Sequence, residues 1–125
     1  MPKRIILADD QEPIRRVYTR NLKRLLGLDV DSVPNGEELV EKVRAGNYDL
    51  AITDNDMGNG INGIEAIKRI RQFNLTIPLL MHSAGSAEYD AKALALQAGA
   101  TGYIDKGEVA KRGIDVIVTE LKPYL

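Results

Sequence analysis

Five short apolar runs recur along the chain, and a stretch with helical spacing separates or follows each of them. The runs are Ile5-Ile6-Leu7-Ala8, Val30 to Val33, Leu50-Ala51-Ile52, Leu79-Leu80-Met81 and Tyr103-Ile104. Ile14, Tyr18, Leu22 and Leu25 fall on one helical face, as do Ile64, Ile67 and Ile70. Ala91, Leu94, Ala95 and Ala98 repeat at i, i+3, i+4, i+7, and so do Ile114, Ile117, Val118 and Leu121. Near-continuous apolar strands separated by amphipathic helices bury themselves as a parallel sheet covered on both faces. The pattern predicts an α/β fold of the (βα)₅ type, doubly wound.

Punctuation agrees with this reading. Asn35-Gly36 marks a turn before the second helix and Ala45-Gly46-Asn47 closes it. Gly58 to Gly63 is rich in glycine and asparagine and predicts a loop. Ala98-Gly99-Ala100 ends the fourth helix. Pro78 is placed at the start of a strand, where its missing N–H is tolerated. Pro123 stops the last helix near residue 125, and no linker or repeat divides the chain. A single domain over 1–125 with no effector domain is therefore expected.

Composition excludes several classes of function. The chain has no cysteine, which removes disulfides, thiolate catalysis and thiolate metal sites. No apolar run approaches the ~20 residues of a membrane span. The start, Met1-Pro2-Lys3-Arg4, lacks the features of a secretory signal, so a cytoplasmic location is expected. A formal net charge of −1 gives little general attraction for DNA, and no direct DNA binding is expected. One local exception is a basic stripe of Arg15, Arg16, Arg20, Lys23 and Arg24 on the first helix. It reads either as a solvated face or as a docking surface for an acidic partner.

In open parallel sheets, ligands bind beyond the carboxyl ends of the strands. Asp9 and Asp10 follow the first run, Asp54 the third, Ser83 the fourth, and Asp105-Lys106 the fifth. The fold would bring these groups to one edge. Like charges ~4 Å apart repel by about 4 kcal/mol at an intermediate dielectric, so three clustered carboxylates favour a hard cation. Oxygen ligands without Cys or His suit Mg²⁺ or Mn²⁺. A metal, a lysine, a hydroxyl and a central carboxylate together suit phosphoryl transfer with the carboxylate as nucleophile.

Asp9-Asp10, Asp54 with Met57, Ser83-Ala84 and the run Gly99-Ala100-Thr101-Gly102-Tyr103-Ile104-Asp105-Lys106 resemble the receiver domains of two-component response regulators, over essentially the whole chain. The resemblance implies a flavodoxin-like sheet in the order 2-1-3-4-5. It implies a stand-alone signalling switch rather than an enzyme in the ordinary sense. Asp54 would be phosphorylated by a histidine kinase or a histidine phosphotransfer protein. Asp10 would ligate Mg²⁺ directly and Asp9 mainly through water; Asp54 and the backbone carbonyl of Asp56 would complete the protein ligands. Lys106 would pair with the phosphoryl oxygens. The Ser83 hydroxyl would move toward the phosphoryl group and Tyr103 would change rotamer with it, carrying the signal to the surface of the fourth helix, fifth strand and fifth helix. Output would then run through contact with a downstream target protein, from a monomer or a weak phosphorylation-dependent dimer.

Tyr103 also reads as an ordinary partly buried core aromatic. His82 is the only histidine, and strand alternation turns it away from the side of Ser83, so a structural role is expected. Glu12 favours the start of the first helix.

Several positions depart from the family outline. Gly107 stands after Lys106 where proline in a cis bond is common; a trans bond is expected, with glycine's freedom turning the chain. Gly58 follows Met57 in place of proline, and the loop from Asp54 to Gly63 is one residue longer than usual. Asp56 adds a carboxylate that would either repel the phosphoryl group or orient attacking water. Asp54-Asn55-Asp56 also matches the Asp-x-Asp of haloacid-dehalogenase-like phosphatases, but its place after the third strand argues against that enzyme. Other rivals are a binding module that keeps the fold without phosphorylation, and a flavodoxin-like cofactor carrier. The last is disfavoured because no phosphate-cradling loop follows the first strand.

Overall fold

The computed structural model describes residues 2–84 and 90–125. Strands β1 (Arg4–Ala8), β2 (Asp29–Val33), β3 (Leu50–Thr53), β4 (Leu79–Ser83) and β5 (Gly102–Asp105) alternate with helices α1 (Glu12–Leu26), α2 (Gly36–Ala45), α3 (Gly63–Arg71) and α4 (Ala91–Ala98). After β5 come α5 (Lys106–Arg112), α6 (Asp115–Leu121) and a 3₁₀ turn over Lys122–Tyr124. The five strands form one sheet in the order β2-β1-β3-β4-β5, and every pairing is parallel. This is the predicted fold and order.

The period of two along each strand divides the core. Ile6, Ala8, Ala51, Leu79 and Met81 join Leu39, Val40 and Val43 of α2, Ala66, Ile67 and Ile70 of α3, and Ala95 and Ala98 of α4. Ile5, Leu7, Leu50, Ile52, Leu80 and Ile104 face the other way, onto Leu22 of α1 and Ile117 and Leu121 of α6. Both faces of the sheet are covered, so the strands read as apolar runs rather than alternating ones.

Local signals set most helix ends. Asn35, Asn62 and Asp90 each accept a hydrogen bond from the backbone N–H three residues on, capping α2, α3 and α4. α1 has no side-chain cap; it starts instead with Glu12 and Pro13, an acidic residue and a proline in the first turn. It ends at Gly27, whose φ of 64° lets its N–H reach the Lys23 carbonyl. Among the described residues no helix is long and apolar enough to cross a membrane.

Three local expectations need correction. Leu25 is exposed, and Leu26 packs on the core instead, because a residue four positions beyond buried Leu22 returns to the same face. Leu94 is also exposed; α4 meets the sheet through Ala91, Ala95 and Ala98, whose small side chains allow close approach. The single helix expected after β5 is split at Gly113, which has φ 86°. Pro78 lies one residue before β4, where its carbonyl accepts the Ala51 N–H at 3.0 Å.

Candidate functional site

The register of β1 against β3 places Ala8 opposite Thr53, so the next residues, Asp9 and Asp54, leave the sheet side by side. Their backbones continue the ladder: Asp54 N–H donates to the Ala8 carbonyl at 2.9 Å and Asp9 N–H to the Val33 carbonyl at 3.1 Å. One ligand oxygen from each of Asp9, Asp10 and Asp54 lies within 4.8 Å of the others. Asp9 and Asp54 are buried, whereas Asp10 is exposed. On the neighbouring side β4 and β5 pair Ser83 with Asp105, which brings Lys106 to the same edge. Lys106 Nζ lies 3.0 Å from Asp54 Oδ2 and 3.8 Å from Asp9 Oδ2. The carboxylates and the lysine expected from strand-end positions therefore meet.

Burial dominates the electrostatics here. Desolvation raises the Asp54 pKa above the ordinary carboxylate value, against the opposing hydrogen bond and charge of Lys106. Desolvation raises Asp9 as well, against the Gln11 backbone N–H and Lys106, with Asp10 adding repulsion. The Gln11 N–H donates to Asp9 Oδ1 at 2.9 Å, while Asp9 Oδ2 is buried without a hydrogen-bond partner among the described residues. A buried carboxylate oxygen in that state costs stability unless a cation or water completes it. The donor set is all oxygen, and a hard divalent cation would offset the cost of holding these carboxylates charged together in a buried setting.

Ser83 is buried at the end of β4, with its hydroxyl 3.4 Å from the Ala84 carbonyl. Tyr103 donates its hydroxyl to the Ser83 backbone carbonyl at 2.7 Å and packs against the core formed with α2, α3 and α4. The two expected switch residues are thus physically linked, through the backbone of one and the side chain of the other. Asp56 is exposed, and its Oδ1 accepts the Gly58 N–H at a long 3.4 Å, so its carboxylate caps its own turn.

Gly107 behaves differently from expectation. No cis peptide bond occurs among the described residues, so Lys106–Gly107 is trans. However, Gly107 has no positive φ; it is the second residue of α5, and its N–H donates to Asp105 Oδ1 at 2.7 Å. The position supplies a capping donor rather than conformational freedom, and proline there would forfeit that bond.

His82 faces α1. Its Nε2 lies 3.3 Å from the Tyr18 hydroxyl, and the rings meet edge to face at 5.2 Å. The basic stripe lines a groove of about 800 Å³ between α1 and Ser32, where Arg16 pairs with Glu12 and Arg15 donates to the Asp9 carbonyl at 2.6 Å. Sequence reasoning missed two contacts: that of Tyr18 with His82, and that of Glu37, which binds the loop after Asp54 from α2. No spacing signals them, because both act across elements distant in the chain.

A family model described as the response regulator receiver domain matches residues 5–119. The alkaline phosphatase synthesis transcriptional regulatory protein PhoP of Bacillus subtilis is 39% identical over 106 residues, 85% of this chain and 43% of that protein. A protein-glutamate methylesterase/protein-glutamine glutaminase of Trichodesmium erythraeum is 38% identical over 109 residues, 85% of this chain and 31% of the relative. The chain spans less than half the length of these curated relatives. The crystal structure of response regulator TrrA of Thermotoga maritima, in complex with Mg²⁺-BeF, superposes with a TM-score of 0.83 at 32% identity, covering 98% of this chain and 99% of that one. The chemotaxis protein CheY4 of Vibrio cholerae shares the fold at 24% identity, with a TM-score of 0.82 over the full length of both chains.

Proposed function

This chain belongs to the response regulator receiver domains of two-component signalling, and from that premise we propose that it is a phosphorylation switch with Asp54 as the phosphoacceptor. Domains of this family are signalling switches rather than enzymes in the ordinary sense. The observation that carries the reading is Lys106 Nζ held 3.0 Å from Asp54 Oδ2, while Asp9 and Asp10 offer further oxygens to the same site.

In the proposed reaction an Asp54 oxygen attacks the phosphorus of a phospho-histidine on a kinase or phosphotransfer protein. A P–O bond forms, the P–N bond breaks, and the imidazole leaves with the electron pair. Asp9, Asp10, Asp54 and the Asp56 backbone carbonyl would hold Mg²⁺, or Mn²⁺ in its place. When bound, that ion supplies positive charge against the phosphoryl oxygens. Lys106 would supply a second positive charge next to Asp54, whose burial strengthens the interaction. The Ser83 hydroxyl then donates to a phosphoryl oxygen, and the change at Ser83 reaches Tyr103 through the hydrogen bond on its carbonyl. Output is by contact of the α4–β5–α5 surface with a downstream target.

The direct test is intact mass after incubation with acetyl phosphate. One added phosphoryl group is expected with Mg²⁺ or Mn²⁺ and none with a chelator; no gain under any metal condition would sink the reading. Asp56 is expected to tune the lifetime of the product, since its exposed carboxylate lies beside the loop that flanks the acceptor. In Asp56→Ala the decay of the phosphorylated form should change at least several-fold. Superimposable decay curves would mean that the side chain takes no part.

A further inference from the structure

We propose that Glu37, on α2 and outside the acidic cluster, is a positioning residue that clamps the loop between β3 and α3 into the shape the metal site needs. The inference rests on the metal-assisted reading of that site and assigns one of its supports.

The loop is tied firmly at its inner end. The Gly63 N–H donates to the Asn55 carbonyl at 2.9 Å, and the Ile64 N–H donates to Asn55 Oδ1 at 3.2 Å. A Cβ on Gly63 would lie 2.3 Å from the Asp54 carbonyl oxygen, so the backbone closes there with no room for a side chain. Outward from this point the chain passes Asp56 and then Gly58, where an added Cβ would lie 3.6 Å from Asp10 Oδ2. The loop therefore borders the acidic cluster directly.

Its far side is held by α2. Both carboxylate oxygens of Glu37 accept the Ile61 N–H, at 3.3 and 3.2 Å. From Gly58 to Ile61 these are the only hydrogen bonds to another element among the described residues. The neighbouring glycines fit around the contact. Gly60 has φ 91°, and a Cβ on it would stand 2.4 Å from Glu37 Oε2; a Cβ on Gly36 would stand 2.7 Å from Ile61 Cγ1. The first turn of α2 and the loop interlock, with glycine on each side of the bond.

Glu37 takes no part in the side-chain cap of its own helix. Asn35 and Glu38 form the reciprocal cap of α2: Asn35 Oδ1 accepts the Glu38 N–H at 2.8 Å, and Asn35 Nδ2 donates to Glu38 Oε2 at 2.9 Å. Glu37 is left to accept a bond from outside. Loss of the clamp frees the loop's middle and, through it, the stretch from Asp56 to Gly58 that faces Asp10.

The test uses Glu37→Ala, Glu37→Gln and, as a control, Glu38→Ala in the full chain. Amide exchange at Ile61 is read by NMR in metal-free buffer, and Mg²⁺ affinity by chemical-shift titration. In Glu37→Ala we expect Ile61 exchange to rise about fivefold, the effect of one exposed hydrogen bond. Mg²⁺ Kd should rise about tenfold, the lower end for a supporting partner behind the ligands. Glu37→Gln keeps one accepting oxygen and should recover part of both, while Glu38→Ala should leave Ile61 exchange unchanged. Unaltered exchange in Glu37→Ala overturns the clamp; faster exchange with unaltered Kd overturns its role at the site. Failure of the metal reading itself would show in the wild-type titration, with Ile61 exchange still reporting the clamp.

Discussion

Replacing Asp54 with asparagine is expected to end phosphoryl uptake completely and, in metal-free buffer, to raise the melting temperature. The first effect follows because an amide of the same shape lacks the anionic oxygen that attacks phosphorus. The second comes from burial. Asp54 is 5% exposed, and desolvation outweighs the help of Lys106, so its carboxyl prefers the protonated form more than in water. A carboxylate with a raised folded-state pKa contributes stability below about pH 3.8 and loses it as pH rises through the folded-state value. At neutral pH the wild type thus holds an unfavourable charge beside Asp9, which asparagine removes. Loss of the Lys106 ion pair offsets part of the gain, so a rise of a few degrees is expected; ~1 kcal/mol corresponds to roughly 4 °C for a domain of this size. Mass analysis after acetyl phosphate and a melting curve in chelator read the two effects. An unchanged phosphoryl gain in Asp54→Asn would remove Asp54 as acceptor, and a lower metal-free melting point would show that Lys106 outweighs burial.

The contribution of His82 to stability is expected to fall steeply in mild acid. Burial pushes its pKa down to about 4, with the charge of Lys106 adding to the effect and Asp105 opposing it. Among the described residues its Nδ1 is buried without a partner, and Nε2 meets only the Tyr18 hydroxyl. A second ring proton would therefore be buried unpaired. The lowered folded-state pKa means that the contribution is fully present above about pH 6.5 and is lost as pH falls through about 4. A shift of this size is worth about 3 kcal/mol at full effect, using 1.36 kcal/mol per pKa unit. Asp9 and Asp54 act in the opposite direction, since their raised pKa values favour the fold as pH falls. His82→Leu isolates the histidine: in urea unfolding, the difference between wild type and variant should change by roughly 2–3 kcal/mol from pH 7 to pH 4.5. Parallel pH profiles would show that His82 is not held neutral by its surroundings.

The strands and most helices were legible because their signals are local. Apolar runs at period two and faces at period 3.6 are properties of adjacent residues, and Asn35 and Gly27 fix helix ends within a few positions. Asp9, Asp10, Asp54 and Lys106 were legible for a related reason. A parallel sheet sends every strand's carboxyl end to one edge, so position in sequence already determined that they meet.

Side-chain direction and backbone hydrogen bonding beyond the element were decided only in three dimensions. Leu25 and Leu26 are equally apolar in sequence, and the roll of α1 on the sheet chose between them. Gly107 looked like a source of backbone freedom, but with Asp105 at the helix start the position serves as an N–H donor. Asp56 reads in sequence only as an extra carboxylate beside the acceptor, and the fold adds a contact to the Gly58 N–H of its own loop. Glu37 and Ile61 stand 24 positions apart, and Tyr18 and His82 stand 64 apart. Nothing local marks such pairs, because a polar side chain is indifferent to its partner until packing removes the water that would otherwise satisfy it.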